Sequence, residues 1–158
     1  MMTPKSNKSS TVISMIFTFL LFGALLFLTY WLPDVVESAL NMEDNLGNRA
    51  EITQAGRTLV LIDAYAMLAV AYLAVGLLFF LLRTVLREEI FTPAAPRLLS
   101  AVSLCCFIEG LLFFLLGSLF QLAYAATVAL CFIGLCLRVV KNVIEEATRI
   151  KQENDFTV

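Results

Sequence analysis

The segment that most constrains this chain is residues 98–120, which contains only apolar residues, glycine and serine apart from one charged residue, Glu109. An apolar segment of about 20 residues is long enough to cross the hydrocarbon core of a bilayer as an α-helix. A carboxylate near the middle of that helix is costly to expose to lipid, so other helices must pack around it or it must face a wet cavity. We therefore expect Glu109 to lie inside a membrane protein with several helices.

Composition places the rest of the chain in the same class. Of its 158 residues, 60% are hydrophobic and 15% are charged, whereas soluble domains are about 45–50% apolar and about 25% charged. The apolar residues are concentrated in four blocks, and each crossing needs about 20 residues. We predict an all-α, polytopic membrane protein with one domain, residues 1–158. Its four transmembrane helices are predicted to form a bundle, at about residues 12–32, 58–82, 97–118 and 122–140.

Two features set the ends of the first and last helices. Tyr30 and Trp31 are aromatic residues of the kind that collect at membrane interfaces, and Pro33 follows them, so the first helix is predicted to end there. Residues 33–57 are then the one substantial loop. Residues 141–158 are less apolar but keep apolar side chains on one helical face, so the fourth helix is predicted to continue as an amphipathic tail.

Small residues indicate where membrane helices approach closely, because lipid offers no hydrophobic drive for helix association. The second helix has five alanines between residues 64 and 74, so we expect it to be the most buried of the four. Ser103, Gly110 and Gly117 recur every seven residues, which predicts a closely packed face on the third helix. Residues 118–121 leave room only for a tight turn before the fourth helix.

The distribution of lysine and arginine predicts the orientation, because cytoplasmic segments carry an excess of both. Nine of the eleven lie near the N-terminus, in the connector between the second and third helices, or in the C-terminal tail, and two lie in the loop 33–57. Both termini are therefore expected in the cytoplasm, with that loop outside. Four aromatic residues would then lie towards the outer interface, as such rings usually do: Tyr30, Trp31, Tyr65 and Tyr124.

Several kinds of chemistry are excluded or disfavoured by the residues present. The chain has no histidine, so imidazole metal sites and nucleophiles activated by histidine are excluded. Its four cysteines lie in apolar blocks without a CxxC motif, which indicates packed thiols and neither a disulfide framework nor a metal site. Without a nucleophile beside a base or a glycine-rich phosphate loop, we expect no enzyme activity and no cofactor.

Three segments of the chain are similar to a known family. The segments LLRTVLREEIFTPAAPRLL (81–99), SLCCFIEG (103–110) and LRVVKNVIEEATRIKQENDFTV (137–158) resemble the bacterial membrane proteins of domain-of-unknown-function family 2975. Members commonly carry a polar pair after the FT of the connector, where this chain has Ala94, Ala95 and Pro96. The resemblance implies four transmembrane helices in a bacterial cytoplasmic (inner or plasma) membrane. Because such genes often sit beside one for a small helix-turn-helix DNA-binding protein, it also implies a regulatory partner of that kind. It implies no site residue.

Glu109 is the first candidate functional residue, because no lysine, arginine or histidine is expected at its depth. Its partner is then a hydroxyl of Tyr65, Tyr72 or Thr127, a backbone carbonyl, water or a bound cation, or else the acid is neutral, the form that burial favours. Glu109 either joins helices by hydrogen bonding or responds to protons or cations. Asp63, nearer the outer face, either reaches water or Arg57, or shares an outward-facing cavity with Glu109.

The C-terminal tail is the second candidate, through an apolar stripe formed by Val140, Ile144, Ala147 and Ile150. It is either a solvated helical extension, a docking surface that fits a partner's groove, or a helix lying on the inner leaflet of the bilayer. The leading hypothesis is a non-enzymatic regulatory or sensory membrane protein that passes a signal from the membrane or outer loop to a cytoplasmic partner, without binding nucleic acid directly. The alternative is a subunit of a small homo-oligomeric transporter or channel that uses the buried carboxylates.

Overall fold

The computed structural model describes residues 4–45, 54–86, 92 and 94–155. For residues 4–10, 42–45 and 154–155 it describes the backbone only. This part of the chain contains four α-helices, which are α1 (Pro4–Asn45), α2 (Gln54–Leu86), α3 (Ala94–Leu116) and α4 (Leu122–Asp155), and no strand. Each helix is long and apolar enough to cross a membrane. The all-α class and the four predicted spans are therefore confirmed.

The sequence-based prediction that the first helix ends at Pro33 is wrong, because α1 continues through Pro33 to Asn45. A proline inside a helix costs about 3 kcal/mol, because it removes a backbone hydrogen bond and crowds the preceding turn. Packing beyond Pro33 offsets this cost. Leu40 is only 2% exposed, and Asn41 accepts a hydrogen bond from Arg57 of α2. Of the predicted loop 33–57, residues 33–45 thus belong to α1 and residues 54–57 to α2, and residues 46–53 lie outside the described part.

Each helix packs against its neighbour along the chain. Within the described residues, backbone contacts join α1 to α2, α2 to α3 and α3 to α4, whereas α1 makes none with α3 or α4. The described helices therefore form an open row in chain order, with α2 and α3 in the middle. Closure of this row into a bundle stays a prediction.

The predicted close packing along α3 is confirmed at its contact with α4. Ser103 is fully buried and donates a hydrogen bond of 2.9 Å to the backbone carbonyl of Gly134. A Cβ added at Gly110 would lie 3.2 Å from Cys131 Sγ, a contact so close that the sulfur would have to shift by a few tenths of an ångström. The heptad spacing of Ser103, Gly110 and Gly117 thus marks the face on which α3 and α4 meet.

The predicted tight turn between α3 and α4 is also confirmed. The amide of Gly117 donates to the carbonyl of Phe113, and the amide of Phe120 donates to the carbonyl of Leu116, so the last turn of α3 closes on itself. A Cβ at Gly117 would lie 2.6 Å from the ring of Tyr124. Because real Cβ atoms do not approach so closely, any larger residue at this position would have to displace the Tyr124 ring.

The expectation that the second helix is the most buried is wrong, because α3 holds that place. Within the most apolar 18-residue segment of each helix, 22% of the residues of α3 are buried, compared with 11% of those of α2. The reason is that several alanines of α2 do not meet a neighbouring backbone. Ala64, Ala71 and Ala74 instead line an open space beside α1 and α3, so their small side chains create a cavity.

Candidate functional site

Glu109 lines an apolar cavity on one side of α2, with a volume of about 440 Å³. Leu25, Leu28 and Leu32 of α1 form one wall, and the alanines of α2 form the floor. Cys105, Cys106, Glu109 and Phe113 of α3 form the opposite wall, with Leu130 of α4 behind them. We call this space the Glu109 cavity; it is open on one side.

Glu109 supplies the only charged group among the residues that line this cavity. Its Oε1 atom is buried and has no hydrogen-bond partner within the part of the chain that the structure describes. The other side-chain heteroatoms of the lining are the thiol sulfurs of Cys105 and Cys106, which are weak donors, and the thioether sulfur of Met67, which is a weak acceptor. A buried carboxylate oxygen without a partner is costly, and a proton, a hydrogen-bond donor or a cation would remove that cost.

Two of the three hydroxyls predicted as partners of Glu109 are engaged elsewhere, and the third belongs to a partly exposed side chain. The Tyr72 hydroxyl shares a 2.8 Å hydrogen bond with Thr29 of α1, and Thr127 donates to the carbonyl of Ala123 in its own helix. Tyr65 is 42% exposed. None of the three bonds to Oε1 of Glu109, so water, a cation or a proton remain the predicted partners of this atom.

The Thr29–Tyr72 hydrogen bond connects two of the helices that line the cavity. It ties α1 to α2 beside the Glu109 cavity, and the ring of Tyr72 packs edge-to-face on Phe22 of α1 at a centroid distance of 5.5 Å. Phe19 and Phe79 make a similar pair, also at 5.5 Å. These contacts hold the α1 wall against α2.

Asp63 lines a different cavity, of about 540 Å³, between α2 and the end of α3. Its Oδ2 atom is buried and, like Oε1 of Glu109, has no hydrogen-bond partner among the described residues. The structure therefore brings Asp63 and Glu109 to the same pair of helices but places them in separate cavities.

The C-terminal stripe is only partly exposed. Val140 and Ile150 are about half exposed, at 46% and 51%, whereas Ile144 and Ala147 are less so. Val143 is 63% exposed and faces outward with Val140 and Ile150. The exposed apolar face of the tail thus contains Val143 where the sequence-based stripe has Ile144.

The tail forms one continuous helix with the fourth membrane span. Because Ser103 bonds to Gly134 in the antiparallel α3–α4 pair, the start of α3 at Ala94 lies opposite about residue 143 (134 + 9). Residues 143–155 then extend past α3 by about 18 Å, at 1.5 Å per residue. Exposed ion pairs lie along this segment, such as the one between Arg149 and Glu146 at 2.7 Å.

The sequence had no signal for the cavity walls, because they depend on which helices touch. The spacing of Ala64, Ala71 and Ala74 was visible, yet close packing was the ordinary interpretation. Cys105 and Cys106 were read as packed thiols, and they do lie in the wall, one buried and one half-buried. No group of three potential metal-ligating side chains occurs among the described residues.

Comparison with known proteins identifies the family of this chain. No curated protein and no solved structure matches the chain. The family model described as protein of unknown function DUF2975 matches residues 5–158, which include all three segments whose likeness to that family was noted in the sequence. The chain therefore belongs to the family of domain of unknown function 2975.

Proposed function

We propose that this chain is a non-enzymatic regulatory or sensory membrane protein, in which occupancy of the Glu109 cavity changes the position of α4 and of its C-terminal tail. The observation that carries the proposal is the buried Oε1 of Glu109, which has no hydrogen-bond partner among the described residues, in a cavity lined mainly by α1, α2 and α3. A group that must find its partner outside the protein is suited to sensing.

The route from the cavity to the tail follows from the contacts of α3. One face of α3 carries Glu109 and the other packs on α4 through Gly110 and Ser103. Since that second face is tightly packed, α3 and α4 move as one unit. A ligand that touches both α1 and α3 would shift α1 and α2 against this unit, and the tail would follow because it is the end of α4.

The orientation and location are parts of the same proposal. Nine of the eleven lysines and arginines lie in segments that this topology assigns to the cytoplasm, which supports cytoplasmic termini in a bacterial inner or plasma membrane. The helical extension of α4 is then cytoplasmic. A ligand that draws α1 towards α3 and α4 would also close the open row into the four-helix bundle.

The proposed partner of the tail is a small helix-turn-helix transcriptional regulator, so the chain itself would not bind nucleic acid. The exposed apolar side chains Val140, Val143 and Ile150 lie on one face of a long helix, an arrangement that fits a groove on another protein. Acidic side chains flank this face, Glu145 and Glu146 among them. They disfavour the alternative in which the tail lies on anionic lipid.

A pair of tail variants tests this proposal. The full-length protein in nanodiscs would be titrated with a purified small helix-turn-helix regulator from the same genome. Val143→Asp puts a charge on the exposed apolar face and should weaken the complex about tenfold or more. Asn142→Asp makes the same change of charge one residue away and should leave the affinity within about twofold. Equal affinities for the two variants would refute docking through this face.

A second candidate function is a subunit of a homo-oligomeric transporter or channel. The observation that favours it is the second buried carboxylate, Asp63, on the same pair of helices as Glu109. Two such acids in neighbouring cavities resemble steps along an ion path. Proton or cation flux into liposomes that is abolished by Glu109→Gln would establish this function, and flux equal to that of empty liposomes would exclude it.

A further inference from the structure

We propose that the Glu109 cavity binds a lipophilic amine, whose ammonium group pairs with the Glu109 carboxylate while its apolar body fills the space between α1 and α3. This inference rests on the proposed sensory function, because it names the class of ligand for the same cavity. It depends on three properties of the cavity, which are its lining, its volume and its entrance.

The lining selects for a cation with an apolar body. Apart from Glu109, the thiols of Cys105 and Cys106 and the thioether of Met67, the residues that line the space are aliphatic or aromatic, and none is basic. A charge on Glu109 is therefore not neutralised by the protein, and an amine nitrogen supplies both the charge and the N–H donors that the buried Oε1 lacks. If Glu109 is protonated before binding, its proton passes to the nitrogen of a neutral amine. The same carboxylate–ammonium pair then forms without taking a proton from water.

The volume and the entrance select for a small molecule that dissolves in lipid. About 440 Å³ lies within the range of small-molecule sites, which is about 300–1,000 Å³. Leu28 of α1 and Phe113 of α3 both line the space, yet α1 and α3 make no backbone contact in the described residues. The entrance therefore lies between these two helices, at the depth of the acyl chains. Hydrated ions and sugars do not enter by that route.

Two neutral occupants make different predictions. A lipid acyl chain would fill the apolar part of the cavity but leave Oε1 of Glu109 without a donor. A lipophilic alcohol would donate one hydrogen bond, and it would do so as well to glutamine as to glutamate. Only an amine needs the negative charge. The rigid pair 1-adamantylamine and 1-adamantanol separates these cases, since the two molecules share one apolar cage and differ in the polar group.

The experiment measures equilibrium binding of radiolabelled 1-adamantylamine and 1-adamantanol to the purified full-length protein in phosphatidylcholine nanodiscs, with empty nanodiscs as the background. The wild-type protein should bind the amine saturably and at least tenfold more tightly than the alcohol. Glu109→Gln should weaken amine binding at least tenfold and leave alcohol binding unchanged. Glu37→Gln is the matched control, because it removes an exposed carboxylate of α1 outside the cavity, and it should bind the amine as the wild type does.

Three results would overturn the inference. They are no saturable amine binding by the folded wild type, equal affinity for the alcohol, and amine binding that survives Glu109→Gln. If that variant does not fold, Ala71→Leu replaces it, since a larger side chain in the cavity floor should weaken binding of both probes. The assay contains no tail partner, so loss of amine binding with intact partner binding refutes this inference alone, and the reverse result refutes the proposed coupling alone.

Discussion

Replacing Gly110 by leucine is predicted to force α3 away from α4. Gly110 lies on the packed face of α3, where an added Cβ would be 3.2 Å from Cys131 Sγ, 3.6 Å from the carbonyl oxygen of Thr127 and 3.7 Å from Cβ of Leu130. Leucine adds three further carbon atoms beyond that position. They have no room unless α4 moves or the side chain leaves its preferred rotamer.

The magnitude follows from comparison with a glycine in open space. A Cβ at Gly76 of α2 meets nothing within 4 Å, so Gly76→Leu gains helix propensity without a clash. Both substitutions gain the same propensity, about 0.8–1 kcal/mol over glycine, and this term cancels between them. The remaining difference is the cost of overpacking, about 1–3 kcal/mol. Gly110→Leu should therefore be less stable than Gly76→Leu by about that amount.

The assay is the free energy of unfolding of the full-length protein in lipid bicelles, measured by steric trapping for the wild type and both variants. Gly110→Ala adds an intermediate point: the shift of the Cys131 sulfur that it requires is small, and its helix propensity compensates, so it should lie within about 1 kcal/mol of the wild type. If Gly110→Leu proved as stable as Gly76→Leu, the close approach of α3 and α4 at Gly110 would be refuted.

Three further substitutions test individual contacts by the same assay. Ser103→Ala removes the buried hydrogen bond to Gly134 and should cost about 0.6 kcal/mol, with an upper bound of about 1.7, as for other interhelical bonds in membranes; no loss would exclude that bond. Tyr72→Phe removes the hydrogen bond to Thr29 and should cost a similar amount, whereas an unchanged stability would show that α1 is held by apolar contacts alone. Arg149→Ala breaks exposed ion pairs of the tail and should change stability by less than about 0.5 kcal/mol; a larger loss would show that the tail packs on the membrane domain through this side chain.

Features that depend on one helix could be predicted from the sequence. Four apolar blocks gave four spans, because the length and hydropathy of a crossing are properties of the segment itself. The heptad of Ser103, Gly110 and Gly117 gave the packed face of α3, because the tight turn after Gly117 brings α4 back along that helix. Glu109 was also identified as an acid sheltered from lipid. The cost of exposing a carboxylate to acyl chains follows from its position within the segment, whichever helices surround it.

Features that depend on two or more helices could not be predicted in the same way. Pro33 was expected to end α1, but packing of Leu40 beyond it stabilises a continuous helix, and local rules do not include that packing. The alanines of α2 favour close contact or an open cavity according to where α1 and α3 lie. The separation of Asp63 from Glu109 into two cavities has the same origin.

The central claim, that Glu109 is the anchor of a ligand site inside the membrane, can be tested by one distance. Rotational-echo double-resonance NMR would measure the separation between ¹⁵N of bound 1-adamantylamine and the side-chain carboxyl carbons of ¹³C-glutamate-labelled protein in bilayers. An ion pair with an N···O distance of about 2.7–2.9 Å predicts strong dephasing of one carboxyl signal in the wild type and none in Glu109→Gln. Bound amine without dephasing of that carboxyl, or with equal dephasing in both proteins, would contradict it.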